Sequence, residues 1–153
     1  MNDIKEMKLY SNAHRIFNDL KALGYAEEDE LKLEDVNQFD QLHYHGTLSV
    51  QGAIESINIQ ENDNVLEVGA GWGGPSRYIA YKTRANVSAL ELQQDYSEVG
   101  KELTLKTGLE SIVTHINEDF LNYSQKDTCF DKIVSWLAPV SYTHLTLPTI
   151  CSV

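Results

Sequence analysis

Residues Asn64 to Thr83 read NVLEVGAGWGGPSRYIAYKT, and the order of residue types in them dictates a strand, a tight turn and a helix. Val65, Leu66, Val68 and the flanking Ala70 surround one carboxylate, Glu67, and lead into Gly69, Gly71, Gly73 and Gly74. Glycines at such a turn allow positive φ and let a ligand approach the main chain closely. Pro75 then suits a first helical position, where no amide hydrogen bond is missed. The free N–H groups at that helix start favour an anionic ligand group.

Two templates share these letters. Gly69, Gly71 and Gly74 fit the G-x-G-x-x-G of dinucleotide sites. Gly69, Gly71 and Gly73, with Glu67 two residues ahead, fit E-x-G-x-G-x-G. Glu67 separates them, because a carboxylate beside the loop repels a pyrophosphate but attracts a ligand carrying an ammonium and a sulfonium. On these residues the chain resembles the class I S-adenosylmethionine (SAM) dependent methyltransferases, whose first motif has this form. The resemblance implies an α/β fold, the N-terminal part of a Rossmann-like doubly wound sheet, with SAM as cofactor. Three other readings compete: a nicotinamide-dependent oxidoreductase, a SAM-fold subunit that binds without catalysis, and a glycine-rich structural turn. The oxidoreductase predicts no carboxylate at position 67 and no adenine-side acid after the third strand.

The chain has 153 residues, a length that predicts one domain with a core of reasonable size. Its net charge of −11 argues against general nucleic-acid or anionic-membrane surfaces, which a negative chain does not attract. Neither a signal-peptide core nor a membrane-length apolar run is evident, so a cytoplasmic protein without membrane insertion is expected. Cys129 and Cys151 have no metal-ligand spacing, and neither a metal nor a disulfide framework is implied.

From Ile4 to Leu23 apolar residues fall mainly at helical spacing, with Asn2 or Asp3 as cap and Gly24 as stop. Tyr25 to Gln38 is acidic, anchored by Leu31, Leu33, Val36 and Phe39, and reads as a loop with a short second helix. Asp40 to Gly46, DQLHYHG, follows as a polar and aromatic knot. It resembles the D-Q-x-H-Y-x-G stretch of small-molecule methyltransferases acting on amines, in which this segment lies over the cofactor. That resemblance makes Tyr44 a cofactor-side residue and His43 and His45 acceptor contacts or bases. A helix-capping turn whose rings merely pack is the alternative. Residues 1–46 thus read as an N-terminal helical lid. Thr47 is expected to cap a helix carrying Leu48, Val50, Ala53, Ile54 and Ile57.

Asn86 to Leu92, NVSALEL, reads as a second strand ending in Glu91. A carboxylate at that strand tip, roughly 20 residues past the glycine loop, can accept both ribose hydroxyl protons. Asp95 to Thr107 makes a helix with Val99, Leu103 and Leu105 facing in, ended by Gly108. Ile112 to Ile116 is a third strand. By the resemblance, Asp119 just beyond it accepts from the adenine amino group and Phe120 packs on the ring. Phe130 to Leu137 fits the family's fourth strand, where Asp131 fixes local structure and Ser135 and Trp136 border the methionine half of the cofactor. His14 and His115 read as ordinary structural positions, and Cys129 as a small filler.

The resemblance runs from about Asp40 to Ala138. The remaining stretch contains no Lys, Arg, Asp or Glu, and Val140 to Thr149 match, residue for residue, the translation of a common transposase sequencing adapter. Residues 139–153 are therefore expected to be non-native, which removes Tyr142, His144 and Cys151 as site candidates. Residues 47–138 would form a partial SAM-binding domain with strands in the order third, second, first, fourth. Ile133, Val134, Trp136 and Leu137 would leave an apolar edge open, so the polypeptide is expected to be poorly soluble and inactive. For the parent enzyme the resemblance implies methyl transfer to a small molecule, foremost an amine such as a glycine derivative or phosphoethanolamine, with sterol, quinone and fatty-acyl acceptors of similar relatives as alternatives.

Overall fold

The computed structural model describes residues 11–123 and 129–137. The element order is α1 (Arg15–Ala22), α2 (Leu33–Val36), α3 (Thr47–Ser56), β1 (Asn64–Val68), α4 (Gly74–Thr83), β2 (Asn86–Glu91), α5 (Gln94–Lys106), β3 (Val113–Asn117) and β4 (Lys132–Val134). The four strands form one parallel sheet in the order β3-β2-β1-β4. This is the expected order, and it makes the fold α/β with helices packed on a parallel sheet. Asp131 has the expected structural role: the Asn64 N–H donates to its carboxylate at 2.8 Å, and the Asp131 N–H donates to the Asn64 carbonyl.

Side chains alternate across the sheet, as the period of two requires. Val65, Val87 and Val113 pair in one row and pack with Val50 and Ile54 of α3 and Ile79 and Ala80 of α4. Fully buried Val and Ile side chains of this kind contribute roughly 1.5–3 kcal/mol each. Leu66, Val68 and Leu90 point to the opposite face, where Ile116, Phe120, Tyr123 and Phe130 cover them. A third cluster joins Ile16 and Leu20 of α1, Val36 of α2 and Val99 and Leu103 of α5 around the indole of Trp72.

Several local expectations need correction. Among the described residues the first helix begins at Arg15, because Asn12 takes a left-handed φ of 78° and breaks the backbone before it, while the expected stretch from Ile4 to Tyr10 lies outside the described residues. The caps proposed at Asn2 and Asp3 lie outside the described residues, whereas Gly24 does follow the helix end with positive φ. Thr47 is the first helical residue of α3 and not its cap, which is Gly46. Leu48 on α3, Ile57 at its C-cap and Leu105 on α5 are exposed, so each helix buries a narrower face than its apolar letters suggest. Cys129 is exposed and fills no core space. The tail 139–153 lies outside the described residues.

Candidate functional site

The glycine loop links β1 to α4, with Gly69, Gly71 and Gly73 all at positive φ. Two of its glycines are demanded by their surroundings as well. A Cβ on Gly73 would lie 2.5 Å from the His115 ring, and one on Gly74 would lie 2.5 Å from the Asp40 carbonyl oxygen. The absent side chain of Gly74 thus admits the 40–46 segment against the start of α4. Leu42 reaches to 3.4 Å from the Cβ position of Gly71, so this segment does lie over the loop.

Glu67 sits beneath the turn, fully buried. The Ser76 hydroxyl donates to its Oε2 at 2.5 Å, and the Ser76 amide also bonds the carboxyl. Burial pushes the Glu67 pKa up to about 8 against those hydrogen bonds. The start of α4, read as a place for an anionic ligand, therefore already holds a carboxyl group of the chain itself. Glu91 stands at the tip of β2, where its Oε2 accepts from the Gly71 amide and its Oε1 from the Gln93 amide, both at 2.8 Å. Burial raises its pKa, and the two amides oppose the shift. Glu91 thus faces the loop as the reading required, and one loop amide is already engaged by it.

Asp119 follows β3 and accepts from the Leu121 amide at 3.0 Å and the Asn122 side chain at 3.2 Å, closing its own turn. Phe120 packs in the cluster of Leu66, Val68 and Leu90. His43 stacks on Trp136, beyond the end of β4, with ring centroids 5.6 Å apart. Ser135 donates to the Val68 carbonyl at 2.8 Å, tying β4 to the root of the loop. Tyr44 is 77% exposed, and His45 is exposed with a left-handed φ of 66°. The structure thus brings Glu67, Glu91, the loop and His43 to the C-terminal edge of the sheet, while Tyr44 and His45 stand out in solvent.

Sequence reasoning missed the polar scaffold under this edge. Arg77 on α4 pairs with Asp40 at 2.9 Å, and both side chains are 0% exposed. Burial pushes the Asp40 carboxyl up while the guanidinium pulls it down. Arg77 also donates to the Gly100 carbonyl at 3.1 Å and to the Thr104 hydroxyl at 3.0 Å. That hydroxyl lies 2.8 Å from Nε2 of His115, whose pKa burial lowers to about 3. His115 is therefore part of the scaffold under the loop and not an ordinary strand position. The only sequence signal for these contacts was the run of small residues at 73, 74 and 100, which signals close approach. Trp72, at the loop tip, is also buried, stacked on Tyr96 at 5.2 Å and covered by the Arg15 guanidinium at 5.1 Å. Among the described residues no cluster fits a metal ion, and no helix is long and apolar enough to cross a membrane.

The donor set fits SAM. Bare glycine backbone at positive φ beside the Glu91 carboxylate at the β2 tip suits a nucleoside whose ribose hydroxyls donate to that carboxylate.

Comparison with known proteins agrees. The chain is 29% identical over 87 residues to the glycine/sarcosine/dimethylglycine N-methyltransferase of Actinopolyspora halophila, covering 57% of this chain and 15% of that protein. It is 41% identical over 76 residues to the sterol 24-C-methyltransferase of Eremothecium gossypii, covering 49% of this chain and 20% of that one. The chain thus spans a fifth or less of the length of these two relatives. A SAM-dependent methyltransferase from Thiobacillus denitrificans, solved with S-adenosyl-L-homocysteine, shares the fold with a TM-score of 0.60 at 17% identity, covering 76% of this chain and 48% of that one. The family described as ribosomal RNA adenine dimethylase matches residues 34–142, well over half of the chain. The chain belongs to that family and, with it, to the class I SAM-dependent methyltransferases.

Proposed function

We propose that this chain forms the SAM-binding part of an enzyme that methylates a small amine. The observation that carries the reading is the meeting of His43 with Trp136, which brings the 40–46 segment to the same sheet edge as the glycine loop and Glu91. When bound, SAM supplies an activated methyl group on a sulfonium leaving group. Glu91 would accept from the ribose hydroxyls, Asp119 from the adenine amino group, and Phe120 would pack beside the ring. Glu67, buried and held by Ser76, would brace Gly69, Gly71 and Gly73 from beneath, leaving the loop backbone to meet the methionine arm. Tyr44 and the helical cap before it would close over the site and exclude water. An amine acceptor reacts only once deprotonated, and His43, with His45 as the alternative, would take that proton.

An RNA base as acceptor is the second reading, raised by the description of the matched family. The net charge of −11 disfavours it, because phosphates are bound through released counterions and basic side chains. Calorimetric titration with S-adenosyl-L-homocysteine tests the cofactor site, with Glu91→Ala expected to weaken binding at least tenfold. Labelled-methyl transfer by the full-length parent enzyme to glycine, sarcosine and phosphoethanolamine, run beside an RNA hairpin, tests the acceptor. Labelling of the RNA alone would sink the amine reading.

A further inference from the structure

We propose that the groove between α5 and the outer edge of β3 docks an extended basic segment of a partner protein, which joins the sheet as a further strand. The inference does not rest on the methyl-transfer reading.

The order β3-β2-β1-β4 leaves β3 with one neighbouring strand among the described residues. The Val87 N–H donates to the Ile112 carbonyl and the Glu118 N–H to the Glu91 carbonyl, so the alternation of a parallel ladder turns the amides and carbonyls of Thr114 and Ile116 toward β2. Those of His115 and Asn117 face outward with the Val113 carbonyl, whereas the Val113 amide donates to the Leu109 carbonyl. Such edges are commonly blunted by a lysine, a proline or a bulge. Val113–Asn117 reads VTHIN, pairs with β2 in unbroken register and has none of these.

Beside this edge lies a groove of about 520 Å³, lined by Val113, Thr114 and His115 on one side and by α5 on the other. Its charged lining is Glu98 and Glu102 on α5, Glu110 in the turn before β3, and Lys101, all exposed. Three carboxylates thus stand against one ammonium. Glu98 accepts from the Gln94 side chain at 2.7 Å. Residues set opposite Val113, His115 and Asn117 on an added strand carry their side chains to the face that α5 covers. Glu98 and Glu102 lie one turn apart, about 6 Å along the helix, and alternate side chains of a strand fall roughly 6.5 Å apart. Lysines two positions apart therefore match the two carboxylates, and their alkyl stems can rest on exposed Leu105. Main-chain bonds to the edge supply affinity, and the carboxylates select a basic segment. A second copy of this chain fits poorly. Antiparallel pairing of two β3 edges would set two α5 helices side by side, with Glu98 and Glu102 of each against the same residues of the other.

The test uses the full chain and two labelled peptides as long as β3, one alternating lysine with valine and the other glutamate with valine. Fluorescence anisotropy reads binding, and residue-resolved amide hydrogen exchange reads its place. The lysine peptide is expected to bind saturably and the glutamate peptide not to bind. Glu98→Lys combined with Glu102→Lys should weaken binding roughly tenfold, and both positions are exposed, so the fold is retained. The bound peptide should slow exchange at the His115 and Asn117 amides more than at Thr114 and Ile116, which already bond β2. A lysine peptide that does not bind, equal binding of both peptides, or a double variant that binds like the wild type would overturn the proposal. Protection of the outward amides of Lys132 and Val134 instead would do the same, by seating the peptide on β4. Protection of His115 and Asn117 that needs no peptide and grows with protein concentration would also overturn it, by assigning the edge to a second copy.

Discussion

Glu67 and His115 occupy the same cross-strand row of the sheet, separated by Ala89 alone, and burial drives their proton equilibria in opposite directions. Glu67 is raised from 4.5 to about 8, so its contribution to stability is full below pH 4.5 and is lost as pH rises toward 8. His115 is lowered from 6.5 to about 3, so its contribution is full above 6.5 and is lost as pH falls toward 3. Each slope is about 1.4 kcal/mol per pH unit, and between 4.5 and 6.5 the two cancel. Asp40 and Glu91 are raised in the same sense as Glu67, so urea unfolding should show stability falling both as pH drops toward 3 and as it rises toward 8. Glu67→Gln should make the alkaline fall shallower. An alkaline limb unchanged in that variant would mean that Glu67 is ionised in the folded chain.

The Arg77–Asp40 pair is expected to behave as a buried ion pair does when one member is removed. Asp40→Ala should cost about 3–5 kcal/mol, since it leaves a guanidinium in the core without its counter-charge. The double variant Arg77→Met with Asp40→Leu should recover much of that loss. Denaturant midpoints measure both, and a double variant no better than the single would contradict the account.

Glycines of different surroundings should respond with opposite signs. Gly74→Ala should destabilise by roughly 1–3 kcal/mol, because the new methyl meets the Asp40 carbonyl. Gly52→Ala, in α3 with open space around it, should stabilise by about 0.5–1 kcal/mol through helix propensity and a less disordered unfolded chain. Thermal melts of the two variants provide the comparison.

At the other end of the sheet, β4 pairs with β1 alone among the described residues, and Ile133 there is 47% exposed. Ile133→Lys should reduce self-association, because a charge on an open edge discourages strand addition. Static light scattering against concentration checks this, and equal aggregation in both proteins would place the sticky surface elsewhere.

What could be read in advance follows from the range of each interaction. The strand–turn–helix around Gly69 to Gly74 was legible because turn chemistry is local, and Glu91 because its spacing from the loop is set by one helix and one strand. Asp40 was visible only as the start of a motif. Its partner lies 37 residues away on a helix, where an arginine normally signals solvent. Glu67 was read as a charge awaiting a ligand, yet Ser76, nine residues on, meets it as soon as the turn closes. His115 gave no signal, since its neighbours Gly73 and Gly100 come from the start of one helix and the interior of another, brought together by the sheet. The helix start at Arg15 depended on the backbone of Asn12, which apolar spacing does not register.

Trp72 places the tip of the ligand loop inside the same apolar cluster as the first two helices. A blade of indole wedged among Ile16, Leu20 and Val36 means that pulling the amino-terminal helices away would unseat the turn that a nucleoside is to grip. Trimming this chain to a minimal binding core should therefore begin from its other flank.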